Sequence, residues 1–302
     1  MIYDKQNEKI MDFKNYLFSK GFSSQTTATY QKNLLAFIVW TDAQQIESEQ
    51  ATYRELLGYI QHLRNKNVGS RAIQSYINSL NHYYKWVVKR SLRNDNPTTN
   101  IDIKGIKRRN LYHILSKQEL EKLYYDYKEL SSQSPSEKRN EIIVSLLVYQ
   151  GLTTTELKKL TIQDVKLREG NIYIAATRRS NERTLKLESH QILDIMEYTL
   201  QTRQAILSET KKETDLFFVS TGNSLQLGNV LQKLMQQLRK QSRKIENLKQ
   251  IRTSVITYWL KNYNLRETQY MAGHRFVSST EAYLINDLED LQTDINKYHP
   301  IG

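Results

Sequence analysis

The sequence predicts a mainly α-helical protein with a small β-sheet, divided into two domains. Apolar residues recur at intervals of three and four along most of its 302 residues, as they do on one face of a helix. Only three prolines and ten glycines interrupt the chain, which favours long helices. The clearest β pattern is a pair of short segments, 171–176 and 183–187, with turn residues between them, which predicts a β-hairpin.

The first domain is predicted to span residues 1–97 and to contain four helices. Its fourth helix shows the pattern most clearly, and we assign one stripe to the core: Ile73, Ile77, Leu80, Tyr84 and Val87. The opposite face of this helix is polar and includes Arg71 and Lys85. These two side chains could reach DNA from a groove, or they could simply be solvated, and the sequence leaves both interpretations open.

Pro97 ends this domain, and residues 98–112 are predicted to form a basic linker. The linker contains Lys107, Arg108 and Arg109, which would favour a position beside DNA through release of counterions. Linkers are often charged without any such role. The second domain is predicted to span residues 113–302. It includes a capping-box pattern at Ser116 and Glu119 and a helix that ends near Gly151.

Composition indicates the class of partner. The chain has 44 Lys and Arg against 32 Asp and Glu, so its net charge is +12 and its pI is about 9.5, which favours a polyanion such as double-stranded DNA. It has no cysteine, and its six histidines lack metal-ligand spacing, so we expect no metal or other cofactor. The polar N-terminus and the absence of a long apolar run predict a soluble, cytoplasmic protein with no membrane segment.

The residues that point to chemistry lie between 249 and 283. Lys249 and Arg252 are three apart and would share a helix face, followed by Gly273-His274 and, nine residues later, Tyr283. An arginine can hold two phosphate oxygens, and a tyrosine offers an oxygen nucleophile. Just before this stretch, residues 233–249 form the densest basic patch of the second domain and include four candidate DNA contacts: Arg239, Lys240, Arg243 and Lys244.

This order and spacing resembles the signature of the tyrosine recombinases, the integrase and Xer-type enzymes. Their pattern is H/K-x-x-R, then about two dozen residues, G-H, and a tyrosine nine residues later, and here it corresponds to Lys249, Arg252, His274 and Tyr283. The resemblance implies an N-terminal SAM-like core-binding domain and a mixed α/β catalytic domain. It also implies that Tyr283 attacks a DNA phosphate to form a 3′-phosphotyrosyl link, with Arg252, His274 and Lys249 acting on that phosphate.

Two positions depart from the family pattern. The family motif G-L-R-x-x-E-L appears here with Thr153 in place of arginine, so Thr153 and Glu156 are predicted to form a capping box instead. In the hairpin, the lysine that the family uses as a general acid is replaced by Asn181, although Arg183 matches. Arginines 178, 179 and 183 are candidates to compensate, and our hypothesis is that Arg178 or Arg179 enters the site.

The sequence leaves more than one function open. The first is a site-specific DNA recombinase that integrates, excises or inverts DNA. The second is a catalytically silent, recombinase-derived DNA-binding protein, which the losses at Thr153 and Asn181 favour. A third is a topoisomerase-like nicking activity with the same residues.

The tail after Tyr283 has Leu284, Leu288, Leu291 and Ile295 at helical spacing. In the family such a tail joins protomers into a tetramer on DNA; the alternative is packing on its own domain.

Overall fold

The computed structural model describes residues 2–106, 113–130 and 134–284. Its contacts divide the chain into two compact units, Met1–Asn110 and Leu111–Gly302. Both are built mainly from helices, and the described sheet has three short strands, which confirms the predicted fold class. Within the described ranges, no helix has both the length and the apolar character that crossing a bilayer requires.

Four helices make up the first unit, as the sequence predicts: α1 (Ile2–Ser19), α2 (Ser24–Ala43), α3 (Tyr53–Asn65) and α4 (Ser70–Lys89). Capping side chains define two of their starts. Ser23 accepts a hydrogen bond from the Thr26 amide before α2, and Thr52 forms a capping box with Glu55 before α3. The predicted stripe residues are all buried in one core.

The core of the first unit extends beyond the predicted end of that domain. Ile103 is buried in it, and Ile101 and Ile106 pack against it. Residues 101–106, which the sequence analysis places in the linker, therefore belong to the first unit. The predicted contacts Lys107, Arg108 and Arg109 lie outside the described residues.

In the second unit, two helices are buried along most of their length, and the other helices pack around them. The helical order begins with α5 (Lys117–Leu130), α6 (Pro135–Tyr149), α7 (Thr154–Lys159), α8 (Ser189–Glu197) and α9 (Arg203–Thr210). It continues with α10 (Gly228–Gln241), α11 (Leu248–Asn262), α12 (Leu265–Ala272) and a terminal helix, residues 277–284. A π-helical turn, Tyr198–Thr202, joins α8 to α9. The buried helices are α6 and α11, which explains why residues 142–148 of α6 are apolar apart from Ser145.

The sheet is antiparallel, in the order β1 (Val165–Lys166), β2 (Asn171–Ile174) and β3 (Arg183–Lys186). The hairpin β2–β3 was predicted and β1 was not. Ile172 pairs with Leu185 and Ile174 with Arg183, and all four of these residues are buried. Because alternate strand residues share a face, Arg183 points inward with Leu185. This register brings an arginine into the interior of the second unit.

Candidate active site

Arg252 is fixed on the buried helix α11, whose start is capped by the side chain of Asn247. Its guanidinium is 9% exposed and donates to two backbone carbonyls, that of Gly151 and, at 2.6 Å, that of Ala272. One of its nitrogens also lies 3.9 Å from a carboxylate oxygen of Glu156. These contacts hold the guanidinium in one orientation, as a phosphate-binding arginine requires.

Tyr283, on the terminal helix, brings its hydroxyl to this guanidinium. The side chain is partly buried and packs against the core of the second unit. Burial raises the pKa of the phenol above its usual value, while the charge and hydrogen bond of Arg252 oppose that rise. Residues 252 and 283, from two helices distant in sequence, therefore lie close enough for the guanidinium to act on the phenol.

His274 completes this group. It follows Gly273, which ends α12 in the left-handed conformation with a φ of 68°. The imidazole stacks on the Tyr283 ring with 5.6 Å between ring centres, and its Nδ1 lies 2.9 Å from the hydroxyl of buried Thr280. Burial, followed by the charges of Arg252 and Arg183, lowers the pKa of His274 to about 4. The ring is therefore neutral at physiological pH, with one donor and one acceptor nitrogen.

Thr153 does not contribute a side-chain donor to this group; it caps α7. Its hydroxyl accepts from the Glu156 amide at 3.2 Å, and its own amide donates to a Glu156 carboxylate oxygen at 2.7 Å. This is the capping box that the sequence predicts. The other carboxylate oxygen of Glu156 accepts a 2.7 Å hydrogen bond from Arg183. Burial works to raise the pKa of Glu156, but Arg183 outweighs it and keeps the pKa low, so the carboxylate is charged.

The hairpin contributes Arg183 to the site and keeps the arginines of its turn outside. Arg178 and Arg179 are exposed, so the hypothesis that one of them enters the site is wrong for this structure. The reason is position, because both lie in the turn, whereas Arg183 occupies an inward-facing place on β3. The Asn181 side chain is exposed. The backbone N–H of Asn181 donates to the Gly273 carbonyl at 2.9 Å, which holds the hairpin beside His274.

The remaining candidates are surface residues. Lys249 lies at the start of α11 and is exposed, as are the candidate DNA contacts Arg71, Lys85, Arg239, Lys240, Arg243 and Lys244. Lys244 also forms an ion pair with Glu119, and Arg239 donates to the Glu246 carbonyl, at 2.9 Å from its Nε. Exposure suits a role in contacting a polyanion but does not by itself distinguish contact from solvation.

Sequence reasoning missed two contributors to this site. Glu156 was assigned only to the helix cap, although it also binds Arg183. Thr280, six residues after His274 and three before Tyr283, is fully buried against the imidazole. Its spacing from Tyr283 on one helix was the available signal, because residues three apart share a face. Together, the site offers a phenol, a neutral imidazole and a fixed guanidinium around one point, which is suited to attack on a phosphodiester.

Comparisons with known proteins agree with this chemistry. Residues 113–289 match the phage integrase family, and residues 10–91 match the phage integrase N-terminal SAM-like domain. The chain is 23% identical to the tyrosine recombinase XerD of Oceanobacillus iheyensis, over 96% of this chain and 98% of that protein. It is 26% identical to XerC of Bacillus subtilis, over 95% of both chains.

Solved structures show the same fold. A XerH site-specific recombinase bound to its palindromic difH substrate superposes with a TM-score of 0.70 at 19% identity, covering 89% of this chain and 78% of that one. A lambda integrase dimer bound to a COC′ core site gives a TM-score of 0.65 at 14% identity, covering 92% and 94%. The family match spans more than half of the chain. This protein therefore belongs to the phage integrase family and is a tyrosine recombinase, an enzyme class that transfers DNA strands in site-specific recombination.

Proposed function

We propose that this recombinase cleaves and rejoins DNA with Tyr283 as its nucleophile. The phenol oxygen attacks a backbone phosphorus, a bond forms between them, and the bond to the 5′ oxygen breaks. The products are a 3′-phosphotyrosyl link and a free 5′-hydroxyl, and a hydroxyl from a second strand reverses the step. The observation that carries this proposal is the meeting of Tyr283, Arg252 and His274 at one point.

Each of the three groups has a separate role. Arg252 binds the non-bridging oxygens, where negative charge accumulates as the phosphate is attacked. Its hydrogen bond to the Tyr283 hydroxyl favours the phenolate form that must attack. His274, neutral and held at Nδ1 by Thr280, has Nε2 for the phosphate or for the proton of the phenol. Lys249, exposed one turn before Arg252, adds a positive charge from the solvent side.

Double-stranded DNA is the substrate, and we propose that both units bind it. The exposed cations of α4 and of the stretch from α10 to α11 are the contacts that we assign to its phosphates: Arg71, Lys85, Arg239, Lys240, Arg243 and Lys244. Lys107, Arg108 and Arg109 are assigned the same role from sequence. Neutralising phosphates releases counterions, so this binding weakens as salt rises.

The tail beyond Tyr283 is proposed to join protomers. Leu288, Leu291 and Ile295 recur at helical spacing and form an apolar stripe, and they lie outside the described residues. An apolar helix stripe needs a partner surface, and a neighbouring protomer on the same DNA provides one. We assign to this tail the assembly of four protomers into a homotetramer on DNA.

A second candidate function is DNA binding without cleavage. Two observations favour it: Thr153 is used as a helix cap, and Asn181 exposes its side chain. Asparagine is not an acid of useful strength, so the leaving 5′ oxygen would lack the family's proton donor. The two functions differ in whether a covalent protein–DNA adduct forms.

The test uses a library of nicked DNA duplexes with randomised sequence, in which the cleaved fragment diffuses away and traps the adduct. We expect adducts that survive denaturation, with DNA attached to a peptide containing Tyr283. Tyr283→Phe should abolish them, and Tyr263→Phe should not, because Tyr263 is exposed at the end of α11. DNA binding by the wild-type protein without any adduct would refute cleavage and support the silent function.

A further inference from the structure

Arg183 has an unusual environment for an arginine. It is 1% exposed and is among the largest fully buried side chains of the described chain. One guanidinium nitrogen, Nη1, donates to Glu156 at 2.7 Å, while Nε and Nη2 are buried with no hydrogen-bond acceptor among the described residues. Buried charged donors are normally satisfied, so the charge of Arg183 is only partly compensated by its one carboxylate partner.

The position of Arg183 is within the active site. A Cβ added to Gly273 would lie 2.6 Å from its Nη1, so the guanidinium lies against the residue that precedes His274. Its charge contributes to the low pKa of His274, after burial and Arg252, and it acts on Arg252 as well. Arg183 therefore adjoins the phosphate-binding groups rather than a remote part of the core.

The charges of this site do not balance. Among the described residues, Glu156 is the acid within 4 Å of either guanidinium: it lies 2.7 Å from Arg183 and 3.9 Å from Arg252. His274 is neutral, so two arginines and one carboxylate leave a surplus of one positive charge in a buried site. A phosphodiester bound at Arg252 carries one negative charge and would offset this surplus.

We propose that Arg183 supplies the positive charge that an arginine at position 153 supplies in the motif G-L-R-x-x-E-L, and that it acts on the phosphate through its field rather than by direct contact. Thr153 caps α7, and Glu156 binds Arg183, the hairpin arginine that matches the family pattern. The charge of Arg183 acts on the scissile phosphate beside that of Arg252. This inference rests on the proposed cleavage by Tyr283.

The experiment compares two nicked substrates, whose sequence is taken from the adducts that the randomised library yields. One has an ordinary scissile phosphodiester, and the other has a methylphosphonate, in which a methyl group replaces one non-bridging oxygen and removes the charge. A neutral phosphorus centre needs less cationic stabilisation. We therefore expect Arg183→Gln to slow adduct formation about 100-fold or more on the phosphodiester, but less than about 10-fold on the methylphosphonate.

Controls separate charge from folding. Arg179→Gln alters an exposed hairpin arginine and should leave adduct formation on both substrates unchanged. The double variant Thr153→Arg/Arg183→Gln restores an arginine at the family position, and we expect it to regain at least about 10-fold of the lost rate on the phosphodiester. Arg183→Gln alone leaves the buried Glu156 carboxylate without its partner, and the protein could fail to fold for that reason. The double variant gives Glu156 a new positively charged partner and so keeps the test usable.

The outcomes distinguish the two levels of the proposal. If Arg183→Gln slows adduct formation equally on both substrates, and the double variant recovers none of the rate, Arg183 serves only the fold. That result would overturn the inference and would leave Tyr283 as the proposed nucleophile. Absence of wild-type adducts from the randomised library itself would refute the proposed cleavage and the role of Arg183 together. A loss confined to the charged substrate supports both.

Discussion

Replacing Gly273 by alanine tests the packing on which the whole site depends. The backbone there has a φ of 68°, and an added Cβ would lie 2.6 Å from Nη1 of Arg183 and 3.1 Å from the Asn181 carbonyl oxygen. The oxygen belongs to the backbone of the hairpin and cannot easily move, so Arg183 must shift. We expect the substitution to loosen the hydrogen bond between Arg183 and Glu156.

The size of the effect follows from two contributions. Holding an alanine in the left-handed conformation costs about 1–2 kcal/mol. Breaking a buried ion pair costs about 3–5 kcal/mol, and a partial displacement of Arg183 accounts for about half of that. We therefore expect Gly273→Ala to reduce the free energy of unfolding of the second unit by about 2.5–4.5 kcal/mol in total.

Gly170→Ala is a matched control. Its φ is 64°, nearly the same, but the nearest atom to an added Cβ is the Ile192 Cδ1 at 3.8 Å, which is an ordinary contact. This variant should lose only the conformational part, about 1–2 kcal/mol. The difference between the two alanine variants isolates the contact with Arg183.

The assay is hydrogen exchange of the whole chain in increasing urea, read by mass spectrometry. Peptides from α6 and α11 report the second unit, and peptides from α4 report the first unit as an internal reference. Equal destabilisation by the two substitutions would refute the packing argument. In an Arg183→Ala background the penalty of Gly273→Ala should fall toward that of Gly170→Ala.

Two further predictions concern pH and assembly. Because burial and Arg252 hold the folded pKa of His274 at about 4, the unfolded chain binds more protons between pH 4 and 6.5, and stability should fall on acidification through that window. After discounting for the partial exposure of His274, we expect the free energy of unfolding to fall by about 2 kcal/mol across this window. Urea unfolding at several pH values measures this fall, and we expect His274→Gln not to show it. Deleting residues 286–302 should abolish assemblies larger than two protomers in mass photometry on DNA; intact assemblies would contradict the role of the tail.

Several elements were predictable because their causes are local. The helices of the first unit follow from apolar spacing, and the caps at Ser116, Thr153 and Asn264 follow from side chains that meet amides three residues away or less. Arg252, His274 and Tyr283 were found by their order and spacing. The short strand β1 was missed, because two residues are too few to show a period.

The extent of the first unit was less predictable. The sequence places a linker after Pro97, since the segment is basic and has few apolar positions. In the structure its three isoleucines, at 101, 103 and 106, are enough to attach the segment to the core of the first unit. Burial of scattered single residues depends on the surface that they meet, which periodicity does not describe.

The sequence alone indicated phosphate chemistry, because the order and spacing of Arg252, His274 and Tyr283 are visible without any structure. The tertiary structure decided which hairpin arginine enters the site. The alternation of Arg183 with Leu185 and Leu187 showed that these residues share a strand face, but not that this face is directed at Glu156. That contact joins residues 27 apart, and it depends on Gly273, because a side chain there would meet the Arg183 guanidinium.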